Sequence, residues 1–164
     1  MPVTPYHFGP SGFVALIFRK WIDIPVFILA NVIVDIEVLF SKGWPHHRVW
    51  HFHTLLIGAV AGAVWAVAAY PLGSFFKKIM EIICIPYQIR LWKMIISGVL
   101  GVWFHVLIDS VYHYDVQPFW PYPKNPLWQL LSQGHIKAIS VALFFAAFVL
   151  YVIMTGLHLK KSKE

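Results

Sequence analysis

Apolar residues run through this chain in five blocks, separated by polar or proline-bearing breaks, and most blocks have helix length rather than strand length. Residues 11–18 are apolar but few, and Arg19 and Lys20 close them. A full membrane crossing needs about 20 residues, so residues 7–20 predict a short or re-entrant first helix. Residues 25–40 predict a second helix, with Pro25 in its first turn and with Asn31 and Asp35 four apart on one face. Residues 41–50 contain Gly43 and Pro45 and predict a loop. Residues 54–70 predict an uncharged third helix, in which Gly58 and Gly62 would let a neighbouring helix approach closely. Residues 71–90 mix Lys77, Lys78, Glu81 and Arg90 with Ile and Phe, the pattern of an interfacial connection. Residues 92–108 predict a fourth helix, with Ser97 and Gly101 as a second small pair. Residues 110–137 form a long segment rich in Pro, Trp, Phe and Tyr, suited to an interfacial belt or a lid. Residues 138–159 predict the fifth helix. The expected fold is all-α: one polytopic transmembrane helical bundle over residues 1–164, with about five membrane segments.

Composition turns this pattern into a membrane protein. Hydrophobic residues make up 59% of the chain, charged residues only 12%, and the mean hydropathy is +0.68. Soluble domains carry about 25% charged residues. The single cysteine, Cys84, excludes an internal disulfide and a cysteine-rich zinc site. Residues 1–10 hold three prolines and no basic leader, so no cleavable signal peptide is expected. The net charge of +6 does not point to nucleic acid, because the basic residues sit at helix ends.

Ionisable residues inside the apolar blocks mark a candidate site. Read as a helix, His105, Asp109 and His113 are spaced i, i+4, i+8 and form one stripe. Imidazole nitrogen and carboxylate oxygen together suit a divalent metal. A charged Asp at the centre of a membrane helix costs on the order of 3 kcal/mol, so Asp35 and Asp109 need partners. Threading the helices back and forth brings His7, Asp35, Glu37, His46, His47, His51, His53, His105, Asp109, His113, Asp115 and His135 to one side of the membrane. That is every histidine but His158. The other side receives Arg19, Lys20, Lys77, Lys78, Arg90, Lys93, Lys160, Lys161 and Lys163, leaving Lys42, Arg48, Lys124 and Lys137 with the site. The positive-inside rule then places the C-terminus in the cytoplasm and the site on the extracytoplasmic face.

Several short motifs share an order with a known family. They are Pro5-Tyr6-His7-Phe8-Gly9-Pro10, Asp35-Ile36-Glu37, His47-Arg48, His53-Thr54, His105-x-x-x-Asp109-Ser110, His113-Tyr114-Asp115, Pro118-Phe119 and Asn125-Pro126-Leu127. In this the chain resembles the bacterial inner-membrane-associated metal-dependent hydrolases over roughly residues 5–130. Val38 departs from the pattern, since many members carry a histidine there and a second aspartate where Glu37 stands. Either His51 or His53 matches the family's second histidine, and Thr54 favours His53. The resemblance implies metal chemistry in the inner membrane and supplies no substrate.

The metal ligands expected from residues and resemblance together are His105, Asp109, Asp35, His53, His7 and His47, with Zn²⁺ the expected ion. His7 is a ligand or a supporting donor to Glu37 or Asp115. Glu37 or Asp115 could instead act as general base, and His113 as ligand or acid. Arg48 suits an anionic group such as phosphate, because its planar fork grips two oxygens; a salt bridge to Asp35 is the bland alternative. The expected function is a membrane-bound metal-dependent hydrolase acting on a lipid or phosphoester. The alternative is a non-catalytic protein with a structural metal site, or a packing subunit that associates through Gly58 and Gly62. A transporter is disfavoured, since residues 54–70 and 138–157 offer almost no polar path.

Overall fold

The computed structural model describes residues 5–41 and 46–161. Lys42, Gly43 and Pro45 of the expected loop and Lys163 of the expected tail lie outside the described residues, as do the side chains of His46, His158, Lys160 and Lys161. Among the described residues there are α-helices, two 3₁₀ turns and no strand. The helices are α1 (Pro5–Ile17), α2 (Ile24–Ile33), α3 (Ile36–Leu39), α4 (Leu55–Ala69), α5 (Gly73–Ile82), α6 (Leu91–Tyr112) and α7 (Gln133–Lys161). In hydrocarbon every backbone polar group must be satisfied within the chain, which makes helices the expected outcome of such runs.

Three helical stretches are long and apolar enough to cross a membrane: Leu55–Ile82, Leu91–Tyr112 and Gln133–Leu157. The first joins α4 to α5 through a 3₁₀ turn at Tyr70–Leu72, so half of the expected connection over 71–90 is helical. Within α5, Gly73, Phe76 and Met80 turn inward, while Lys77 and Glu81 pair outside at 3.8 Å. Helix α6 is central. Its inner face runs Met94, Ser97, Gly98, Gly101, Val102, His105, Val106, Asp109, Ser110, so the stripe that packs the bundle also delivers the candidate site.

Helix α4 presents Gly58, Gly62, Ala66 and Ala69 to α6. A Cβ on Gly62 would stand 2.5 Å from the Gly98 carbonyl oxygen, and one on Gly58 would stand 2.8 Å from Val102. These glycines therefore serve close packing of α4 against α6 within the chain. Helix α2 packs on α6 and α1 packs on α7. Little of the apolar stretch of α7 is buried, against half of that of α6, so α7 leaves most of its apolar surface exposed, as a lipid-facing helix would.

Two helix ends differ from expectation. The run over 25–40 breaks after Ile33. Asn31 Nδ2 donates to the Phe27 carbonyl, and the bonds beyond it shorten to i→i−3, as at Asp35 to Val32 and Val38 to Asp35. The fourth helix continues past 108 to Tyr112, and His113 then turns extended with φ −110° and ψ 124°. The loop after it folds back over both helix ends. Asn125 Nδ2 donates to the Ser110 carbonyl at 2.8 Å, and the Leu55 amide donates to the Pro118 carbonyl at 2.8 Å.

Candidate metal centre

Four side chains from three parts of the chain converge at one end of the bundle. Asp35 comes from the break between α2 and α3, and His53 from the residue before Thr54, which caps α4 by accepting from the Ile57 amide. His105 and Asp109 come from the last turns of α6. His53, His105 and Asp109 are buried, and the Asp35 side chain is 26% exposed. The buried apolar cluster of Ala30, Val34, Val102, Val106 and Val116 takes its residues from the stretches of chain beside these side chains.

One donor atom from each of these side chains faces a shared space. His105 Nε2 lies 3.1 Å from Asp109 Oδ2, 3.3 Å from Asp35 Oδ1 and 3.3 Å from His53 Nε2. His53 Nε2 lies 3.5 Å from Asp35 Oδ1 and 3.6 Å from Asp109 Oδ2. Donors held tetrahedrally at about 2.0–2.1 Å from a zinc ion stand about 3.3–3.4 Å apart, so these residues fit such an ion. The fit is chemical as well. With the His53 proton on Nδ1, as its carboxylate partner implies, its Nε2 offers a lone pair; with the His105 proton on Nδ1 as well, two ring nitrogens and two carboxylate oxygens would point lone pairs at one small space. Such a convergence of acceptors is repulsive unless protons or a cation enter it.

The surrounding residues orient these donors. Glu37 Oε1 lies 3.0 Å from His53 Nδ1, and its Oε2 accepts from the Phe52 amide at 2.8 Å. Asp35 and Glu37 thus address opposite nitrogens of one imidazole. Burial pushes the His53 pKa down, but Asp35 and Glu37 outweigh it and leave it raised. His7 Nε2 lies 3.0 Å from Asp109 Oδ1, and its ring stacks on His105 at 4.3 Å. His7 therefore supports Asp109, rather than Glu37 or Asp115 as expected. Among the described residues, the ring atoms His7 Nδ1 and His105 Nδ1 are buried without a hydrogen-bond partner.

A second group stands beside the first. His47 Nδ1 lies 2.8 Å from Asp115 Oδ2, which also accepts from the His47 amide at 3.2 Å. Burial raises the Asp115 pKa, but His47 more than reverses this and holds it below the usual carboxylate range. Because α6 ends at Tyr112, His113 leaves the expected stripe with His105 and Asp109 and meets His47 instead, at a ring distance of 4.5 Å. Burial is the main cause that pushes His113 down to about 4, so it is neutral at pH 7. Arg48 Nε donates to the Asp115 backbone carbonyl at 2.7 Å instead of pairing with Asp35.

The structure also separates His53 from His51. His51 has φ 57° and turns its ring to Trp120 at 5.0 Å, away from the four donors. His135 is exposed and pairs with Ser132 at the start of α7. A buried polar group at the far end escaped the sequence reading: Asp23 caps α2 through the Val26 amide and accepts from the Tyr87 hydroxyl at 2.8 Å. The Asp-x-Pro step at residues 23–25 was its available signal.

No curated protein and no solved structure matches the chain. Residues 22–162 match the model of one family; they carry all four donors and leave out only His7 among the residues described here around them. With that match over most of its length, the chain belongs to the YdjM inner membrane protein family.

Proposed function

We propose that this protein is a membrane-bound hydrolase that uses a divalent cation, Zn²⁺ by its donor set, to cleave an ester at the membrane surface. The observation that carries this reading is the convergence of His53 Nε2, His105 Nε2, Asp35 Oδ1 and Asp109 Oδ2, five of whose six separations lie between 3.1 and 3.6 Å. When bound, the cation would supply Lewis acidity, and a water reaching it past the exposed Asp35, as a fifth ligand or in place of that carboxylate, would have its pKa lowered towards about 7. Glu37 fixes the tautomer of His53, and His7 holds Asp109 in place. Both carboxylate oxygens of Glu37 are occupied, so it orients rather than acts as general base. Asp35, the most exposed of the four, marks the side open to substrate and water. Arg48, anchored through Nε, would offer its terminal nitrogens to an anionic oxygen of a phosphoester or another lipid ester. The site lies extracytoplasmic in this reading, opposite the basic end that holds Arg19, Lys20, Arg90 and Lys93.

A second reading, a structural ion, is favoured by one observation: four protein donors form a closed set, as in structural zinc sites. Hydrolysis of a panel of phospholipid and carboxylic ester substrates, with metal content measured by elemental analysis, separates the two. Asp109→Ala should lose both ion and activity, whereas Arg48→Lys should keep the ion and lose turnover because the fork is gone. An ion retained with no hydrolysis across the panel supports the structural reading, and wild-type protein without any ion refutes both.

A further inference from the structure

The group formed by His47, His113 and Asp115 has no part in the reading above. Donor atoms of these three residues lie within 4.8 Å of one another. Asp115 is fully buried. Its Oδ2 is taken up by His47, but its Oδ1 is buried with no hydrogen-bond partner among the described residues. An unpaired carboxylate oxygen in such a place is costly, and a cation is one of the few partners that would satisfy it. His47 also ties this group to the first: its ring stands edge-on to His53 at 4.5 Å and meets His113 at 4.5 Å.

We propose that His47, His113 and Asp115 hold a second divalent cation beside the first, making a two-ion centre whose substrate is a phosphoester. This deepens the hydrolase reading and rests on it. The two groups differ in a way that suits the division. Asp35, His53, His105 and Asp109 form a closed set of four, whereas three protein donors leave coordination positions for water or substrate oxygens. Paired cations favour phosphoryl transfer, because they can stabilise the attacking and the leaving oxygen together. Arg48 follows His47 directly and is anchored on the Asp115 carbonyl, so a phosphate bound there meets a guanidinium as well.

The test is Mn²⁺ loading of the full chain in detergent, with ions per chain counted by elemental analysis and their coupling read by electron paramagnetic resonance. Two ions per chain with a spin-coupled spectrum are expected for wild type. Asp115→Asn, which keeps an oxygen for His47, should drop to one uncoupled ion. His113→Ala, at a half-buried position, should do the same and serves where the asparagine variant misfolds. One uncoupled ion in wild type, or a coupled pair that survives His113→Ala, overturns the second ion while leaving the first. No ion at all overturns the hydrolase reading with it.

Discussion

His53 shows how single residues decide this site. Its ring is held between two carboxylates, Glu37 behind Nδ1 and Asp35 in front of Nε2. A carboxylate behind a ligating imidazole fixes its tautomer and raises its basicity, and losing one costs about 10–100-fold in metal affinity. Glu37→Gln should therefore weaken binding by about that factor in a chelator competition assay while leaving the ion count at saturation unchanged. An unchanged affinity would show that Glu37 does not act through His53. The sequence made Asp35, His105 and Asp109 legible, because charges inside apolar helices stand out. It left His51 and His53 open, because the choice turns on the backbone of the loop: φ at His51 is positive and swings that ring to Trp120. The pairings of Glu37, His7 and Asp115 were not legible either, since each joins residues at least 15 apart through loop geometry.

At the scale of elements, the helices were readable and their ends were not. Long apolar runs left few choices, whereas the break after Ile33 depends on a side-chain bond from Asn31, and the end of α6 depends on where the chain turns to meet His47. That ending changes the chemistry, because it moves His113 from the first donor group to the second. The orientation proposed for the helices rests on charge. Lys93 Nζ donates to the Arg19 carbonyl at the end opposite the donors, where Lys20 and Arg90 also lie. The positive-inside rule predicts that this end faces the cytoplasm. A reporter fused after Glu164 should be active in the cytoplasm, and activity only outside the cell would refute that orientation.

The whole molecule is a small bundle built so that one end can hold charge. Gly62 and Gly98 bring α4 against α6, which carries His53 to His105. Helix α1 adds His7, the break between α2 and α3 adds Asp35, and the aromatic loop closes over the end of α6 with Val116 buried beneath it. The central claim is that four donors from this arrangement bind one cation. Anomalous diffraction from crystals of the zinc-loaded protein, collected at the zinc edge, tests it most directly. The account predicts a strong peak about 2.0–2.1 Å from each of Asp35 Oδ1, His53 Nε2, His105 Nε2 and Asp109 Oδ2. A map with no peak among these four atoms, or with zinc bound only elsewhere, would contradict it.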